Sequence, residues 1–411
     1  MPSTPRPSGS SPVLDDATLD EFRTQTDPEA DAVVEAHFSD SARSAGQLFG
    51  ALVRHPDDPA PDAGGDADDP VAAFVAERPP WPDWADPAQV RSGQEFFERW
   101  GMQILPGLLL ASLPQAYAAA KGVEVLHLTA RLATDPRRRV VETAQMTVDA
   151  MTVGGLAVGA PGYLTTRRVR LMHAAVRYLI DHDPLVAQSC DASVPRRWCA
   201  EWGRPINQED LLGTLLTFTT VIFDALDRSG VSYARADAEA YLRAWCLVGH
   251  FLGIRPDVLP LGLDEAYALD ALIRRRQDAR SEAGREMTAA LVGMAREQMH
   301  PRILRGMPQT TMRHLIGDET ADLIGVPPGD WTRIFFGPMA RLLGRLSMAE
   351  QHDRLLRAIL TRIGTQLVKG FVEINRGGDR ATFALPDHLA DRWSIPVAAA
   401  GSRPAGGTGT D

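Results

Sequence analysis

The sequence predicts an all-α protein built as a single large helical domain. Apolar residues recur at helical spacing in almost every long segment, and alternating strand-like runs are sparse. Gly230, Gly253, Gly262, Pro256 and Pro260 punctuate the ends of the periodic segments. With 411 residues and 44% hydrophobic content, the chain has ample apolar surface for a substantial core.

In order along the chain, residues 1–20 read as a disordered, Ser- and Pro-rich start, and 21–397 as the helical domain. Within the domain, His55–Pro87 is dense in Asp, Pro and Gly and reads as an irregular acidic loop; Ala398–Asp411 reads as a disordered tail. Helices are predicted over Ser92–Trp100, Pro136–Ala150, Thr165–Ile180, Gln208–Ser229, Ala236–Leu252, Leu263–Met299 and Pro338–Arg376, with breaks inside the longer ones. Asn207 can cap the fourth, because Gln208-Glu209-Asp210 then places carboxylates at the positive end of the helix. No internal repeat is visible.

Charge and cysteine usage exclude several functions. A net charge of −10 argues against a nucleic-acid partner, whose phosphates need a cationic surface. Only Cys190, Cys199 and Cys246 occur, without metal-ligand spacing, so neither a disulfide framework nor a zinc site is expected and a reducing cytoplasm fits. Met1–Pro12 lacks a basic start with an apolar core and lacks twin arginines, so no export signal is expected. The longest apolar stretch, Leu211–Leu226, is too short to span a bilayer of roughly 30 Å. Basic residues are almost all arginine, Lys121 and Lys369 being the only lysines.

The chemistry-bearing residues cluster in two segments. In the third predicted helix, Val169, Met172, Val176 and Ile180 define an apolar stripe with His173 on it, and Arg170 and Arg177 lie one turn before and after. A neutral imidazole on an apolar face can ligate heme iron while flanking guanidinium groups pair with the porphyrin carboxylates. The same pattern also describes a hydrogen-bonded core histidine, and spacing does not choose between them. Upstream, Arg139, Glu142, Thr143 and Met146 share one helical face, either as a pocket wall or as a solvent-exposed ion pair with Thr143 beside it. His250 and His127 are the other histidines considered as iron ligands; His250 sits in a Gly-His-Phe-Leu-Gly segment that reads as structural, and His127 lacks arginine neighbours at helical spacing.

Several segments together resemble the latex-clearing protein and oxygenase family. They are Ser112-Leu113-Pro114-Gln115-Ala116-Tyr117, Arg139-Val140-Val141-Glu142-Thr143, Arg170-Leu171-Met172-His173-Ala174, Pro205-Ile206-Asn207-Gln208-Glu209-Asp210-Leu211 and Gly249-His250-Phe251-Leu252-Gly253-Ile254, within a likeness running from Gly93 to about Trp393. The resemblance implies an all-helical fold with a globin-like core that binds b-type heme through His173. It implies that Arg139 and Thr143 belong to the distal pocket, and that dioxygen is used to cleave isoprenoid double bonds to carbonyl products. It places a carboxylate base near Glu124, a residue that by itself also reads as an exposed position just after Gly122.

One departure matters. The rubber-cleaving members carry a lysine next to the matching threonine, where this chain has Glu142. With that change and no export signal, rubber is not the expected substrate, and the lead reading is an oxygenase acting on a small apolar terpenoid, prenylated or aromatic metabolite. A carboxylate beside Arg139 also opens a peroxidase- or peroxygenase-like alternative, in which Glu142 moves a proton between peroxide oxygens and the guanidinium stabilises developing charge. The partners are therefore the substrate with dioxygen or peroxide. Leu211–Leu226, Trp331, Phe335, Phe336 and Met339 are candidate pocket walls. A non-catalytic heme sensor or carrier would use the same histidine.

Overall fold

A computed structural model describes residues 14–39, 48, 52, 70–131, 136–182, 198–299, 304–335 and 338. The described residues form helices joined by turns, with one isolated bridge between Ala119 and Asp278 and no strand. The predicted helix Pro338–Arg376 and the tail beyond Ala398 lie outside the described residues.

Helix α1 (Asp16–Thr24) begins inside the segment expected to be disordered. Asp15 caps it by accepting from the Thr18 amide at 2.9 Å, and Leu19 and Phe22 are buried, which is why this short helix holds. Helix α2 (Pro28–Ser39) follows, and α3 (Pro70–Ala76) occupies part of the stretch expected to be an irregular loop. Val71 and Phe74 of α3 are buried, so apolar burial overrides the Pro-rich context there.

The centre of the molecule is a crossing of two helices. Helix α4 (Pro87–Gly107) starts with Asp86 as cap and Pro87 in the first turn. It lies along a helix near the end of this chain order, Arg235–Phe251, at Gly93: a Cβ there would meet the Ala240 carbonyl oxygen at 2.2 Å. Glycine is therefore what allows the two backbones to touch. At its end α4 widens into a π turn over Leu108–Ser112 before α5 (Leu113–Ala118). Pro106 and Pro114 bracket that turn and lack the N–H of a regular ladder, and the Ser112 hydroxyl donates to the Thr217 carbonyl at 2.5 Å.

The remaining described helices are α6 (Gly122–Arg131), α7 (Pro136–Met151), α8 (Pro161–His182), α9 (Gln208–Thr217), α10 (Thr220–Arg228), α11 (Arg235–Phe251), α12 (Leu263–Gln277), α13 (Glu282–Glu297), α14 (Met307–Ile316) and α15 (Asp318–Leu323). The Asn207 cap is present, its side chain accepting from the Asp210 amide at 3.0 Å. The apolar run Leu211–Leu226 is two helices rather than one. Thr217, Thr219 and Thr220 return their hydroxyls to carbonyls of the preceding turn, and the chain breaks at Phe218–Thr219. A fresh cap at Ser281 likewise divides the segment after Gly262 into α12 and α13.

Cys199 is disulfide-bonded and Cys246 is a free buried thiol. The expectation of no disulfide is thus corrected: an odd cysteine count forbids a full framework but leaves room for one bridge. Cysteine usage accordingly no longer argues for a reducing compartment. Among the described residues no helix is long and apolar enough to cross a membrane.

Candidate functional site

Helices α7 and α8 form a hairpin whose closed end is set by glycine. The connecting turn uses Gly154 and Gly159 at φ 85° and 84°. A Cβ on Gly162 would lie 2.4 Å from the Asp149 carbonyl oxygen and 2.5 Å from the Ala150 Cα, so α8 starts in backbone contact with the end of α7. Arg139 lies eleven residues before Ala150, and His173 eleven residues after Gly162. At about 1.5 Å per residue both stand roughly 16 Å along their own helices from the crossing.

On α8 the two sides of the helix differ. Leu171, Ala174 and Ala175 are buried against Ala30 and Val34 of α2 and Val71 and Phe74 of α3. Val169, Met172, His173 and Val176, which share the other face, are only half-buried. The predicted apolar stripe with His173 on it is therefore real, but it borders the core rather than filling it.

His173 on this face carries an unpartnered imidazole. Neither ring nitrogen makes a hydrogen bond, and Nδ1 is buried. Burial, with the Arg177 guanidinium second and Asp27 in part opposing, pushes its pKa down to about 4. The imidazole is neutral at pH 7 and keeps a lone pair. A buried polar group without a partner is uncommon, and an orphaned imidazole on a half-open apolar face fits an axial ligand of heme; the Nδ1 atoms of His127 and His250 are buried without a partner as well. The described residues hold no cluster of three metal-ligating side chains, so a polydentate metal site is not the alternative here.

The flanking arginines do not fit their expected part. The sequence assigns Arg170 and Arg177 to the porphyrin carboxylates; the structure occupies both with carboxylates at the start of α2 and just before it. Arg170 Nε and Nη2 reach Asp27 at 2.5 and 2.7 Å, and Nη2 also reaches Glu29 at 2.6 Å. Arg177 Nε and Nη2 reach Asp31 at 2.8 and 2.6 Å, and its Nη1 donates to the Ile206 carbonyl at 3.2 Å. Asp27, Glu29 and Asp31 are functional neighbours that the sequence reading missed. Their alternating acidic pattern was visible, but nothing local says that it meets a helix some 140 residues later.

The other predicted residues are distributed as follows. Arg139 and Glu142 lie on α7, with their side chains outside the described set. Thr143 is half-buried one turn before Met146 and Thr147, both buried, and its carbonyl accepts the Thr147 hydroxyl at 3.0 Å. Glu124 lies half-buried in the first turn of α6; the adjacent Val125 belongs to a small buried cluster with Ile180, against which Leu128 and Val176 pack. That contact sets α6 beside the turn of α8 following His173.

His127 is held by Glu286, Nε2 to Oε2 2.7 Å, in a buried position. His250 is half-buried and edge-on to Trp84 at 6.2 Å, with its pKa pushed down to about 4 by burial and by Arg170. Trp331 is 46% exposed and sits in a short 3-10 turn; the burial of Phe335, Phe336 and Met339 lies outside the described residues.

Residues 95–347 match a family model described as ER-bound oxygenase mpaB/B'/Rubber oxygenase, catalytic domain. That span holds both arms of the hairpin and more than half of the chain. The chain belongs to this family. It is similar to a rubber oxygenase of Streptomyces sp. (strain K30), with 26% identity over 254 residues covering 60% of this chain and 58% of the relative. The chain thus matches less than two thirds of that curated relative's length. The structure of latex clearing protein in the closed state superposes with a TM-score of 0.61 at 21% identity, covering 90% of this chain and 88% of that one. At that identity the likeness establishes the shared all-α fold.

Proposed function

We propose that the protein is a b-type heme-dependent oxygenase acting on a small apolar terpenoid, prenylated or aromatic metabolite, with His173 as the axial iron ligand. The observation that carries this reading is the neutral His173 imidazole, orphaned at a buried Nδ1 on a half-buried apolar face, within a chain of this oxygenase family. Heme bound there supplies a redox-active iron for dioxygen chemistry.

The chain's own residues supply the surroundings. Val169, Met172 and Val176, half-buried and each packed against a buried cluster, would border an apolar substrate. By the family resemblance, Arg139 would supply a cation for developing negative charge on oxygen, and Thr143 a hydroxyl that orients it. Glu124, next to the contact between α6 and α8, is the proposed acceptor of a substrate proton. Cleavage of a carbon–carbon double bond by dioxygen balances as one alkene plus O2 giving two carbonyl groups, with both oxygen atoms retained in the products.

A second reading is favoured by one residue. The family resemblance implies a lysine where this chain has Glu142, and a carboxylate near Arg139 in sequence suits proton transfer between peroxide oxygens. The test is hemin reconstitution followed by spectroscopy and turnover. The wild type is expected to show a Soret band that His173→Ala loses or shifts, and to consume dioxygen with terpenoid or prenylated substrates. If Glu142→Gln abolishes peroxide-driven turnover but spares dioxygen consumption, the peroxide activity resides in Glu142. A Soret band untouched in His173→Ala, and lost in His250→Ala or His127→Ala, would transfer the ligand role and sink the lead assignment.

A further inference from the structure

We infer that Asp27, just before α2, and Glu29 and Asp31 in its first turn are positioning residues for the proposed heme ligand: they clamp Arg170 and Arg177 so that the turn of α8 carrying His173 is held in one register. The inference rests on the reading of His173 as ligand and adds to it how an imidazole without a hydrogen-bond partner is kept in place.

A ligating histidine is ordinarily oriented by an acceptor on its second nitrogen, which fixes both the tautomer and the ring plane. His173 has no such acceptor, since Nδ1 is buried and unpartnered. Its aim must therefore come from the helix that carries it. Arg170 and Arg177 are seven residues apart, about two turns, and so lie almost on one line of α8; His173 falls between them about 60° around the helix. Both arginines are anchored to the same partner helix, and the geometry is the strong kind. Arg170 makes a two-pronged contact with Asp27, itself 4% exposed, and Arg177 is 1% exposed.

Two motifs with no role in the chemistry above converge on this clamp. The Arg177 Nη1 donates to the carbonyl of Ile206, whose φ of 49° is a left-handed conformation that a β-branched residue adopts only under constraint. Gly253, at φ 92°, passes so close that a Cβ would lie 2.2 Å from Asp27 Oδ2 and 3.0 Å from Arg170 Nε. Gln208 then ties the two together, donating to the carbonyls of Thr26 and Gly253 at 2.8 and 3.0 Å. The segments Pro205–Asp210 and Gly249–Ile254 thus brace the ion pairs, and through them α8, rather than reaching the reacting centre.

The test compares the heme-reconstituted wild type with Asp27→Asn/Asp31→Asn and with the conservative Asp27→Glu/Asp31→Glu. Heme loss to an apomyoglobin trap and the iron–histidine stretching band of the ferrous protein are the readouts, beside thermal midpoints of the heme-free protein. The amide variant is expected to lose heme about tenfold faster with a shifted or broadened band, since breaking buried pairs loosens the turn they hold, and the glutamate variant to recover most of both. Should the amide variant fail to fold, Arg170→Lys and Arg177→Lys keep the charge, remove the fork, and are expected to fall between the two.

A lowered midpoint with wild-type heme loss and band would make the pairs merely stabilising and overturn the clamp. His173→Ala separates the layers. If it keeps the wild-type band, the ligand assignment fails and the clamp with it; if it loses the band while the α2 variants leave it unchanged, the clamp alone fails.

Discussion

Asp278 illustrates how a single carboxyl is tuned by its surroundings. Burial pushes its pKa up to about 6, although the Gln115 side-chain amide donates to it at 2.8 Å and favours the charged form. A carboxyl whose folded pKa is raised lends stability that is complete below its unfolded value of 3.8 and is lost as pH rises through about 6. Asp278→Asn keeps the oxygen that accepts from Gln115 and removes the titration. It is therefore expected to be more stable than wild type by about 1 kcal/mol at pH 7.5, with the difference shrinking toward pH 4, as read by urea midpoints across that range. An unchanged difference over the range would show that the carboxyl is not strained by its charge. His173 shows what such residue-level detail adds: its sequence context admits a core histidine and a ligand equally, and the structure adds that its buried Nδ1 has no hydrogen-bond partner, a condition it shares with His250.

Two glycines separate stability from site geometry at the level of helices. Gly93 lets α4 touch α11 and Gly162 lets α7 touch α8, and in both a Cβ would fall well inside contact distance of backbone atoms. Gly93→Ala and Gly162→Ala are each expected to destabilise by about 1–3 kcal/mol through overpacking. Only Gly162→Ala, which wedges open the hairpin between the Arg139 and His173 arms, is expected also to weaken hemin binding when affinity is measured on the folded fraction. Equal affinities in the two variants would mean that the hairpin does not shape the heme side. Helix positions were largely legible in the sequence, because apolar periodicity and caps such as Asn207 are local. The burial of α3 and the start of α1 were not, since Pro- and Asp-rich composition hides a few apolar residues that only distant partners bury.

For the molecule as a whole, acid is the informative stress. The His250 imidazole is pushed down from 6.5 to about 4 by burial and Arg170, with Glu29 opposing, so the unfolded chain binds its proton first. The stability this neutral group lends is present above pH 6.5 and drains away as pH falls from there toward about 4. His250→Gln is expected to flatten that part of the heme-free protein's stability curve; a slope identical to wild type would place the acid sensitivity elsewhere.

By itself the sequence determined the all-α class, most helix positions, the capping of α9 and the family, and it singled out the two segments proposed to carry the chemistry. Each of these depends on spacing along one helix or on a contiguous motif. Tertiary structure alone decided that α8 starts in backbone contact with the end of α7, that His173 Nδ1 has no partner, and that Arg170 and Arg177 belong to Asp27, Glu29 and Asp31. Local periodicity fixes which face a charge occupies. Which opposite charge meets that face, across some 140 residues of chain, is settled only when α2 packs on α8 and water is excluded from the ion pairs between them.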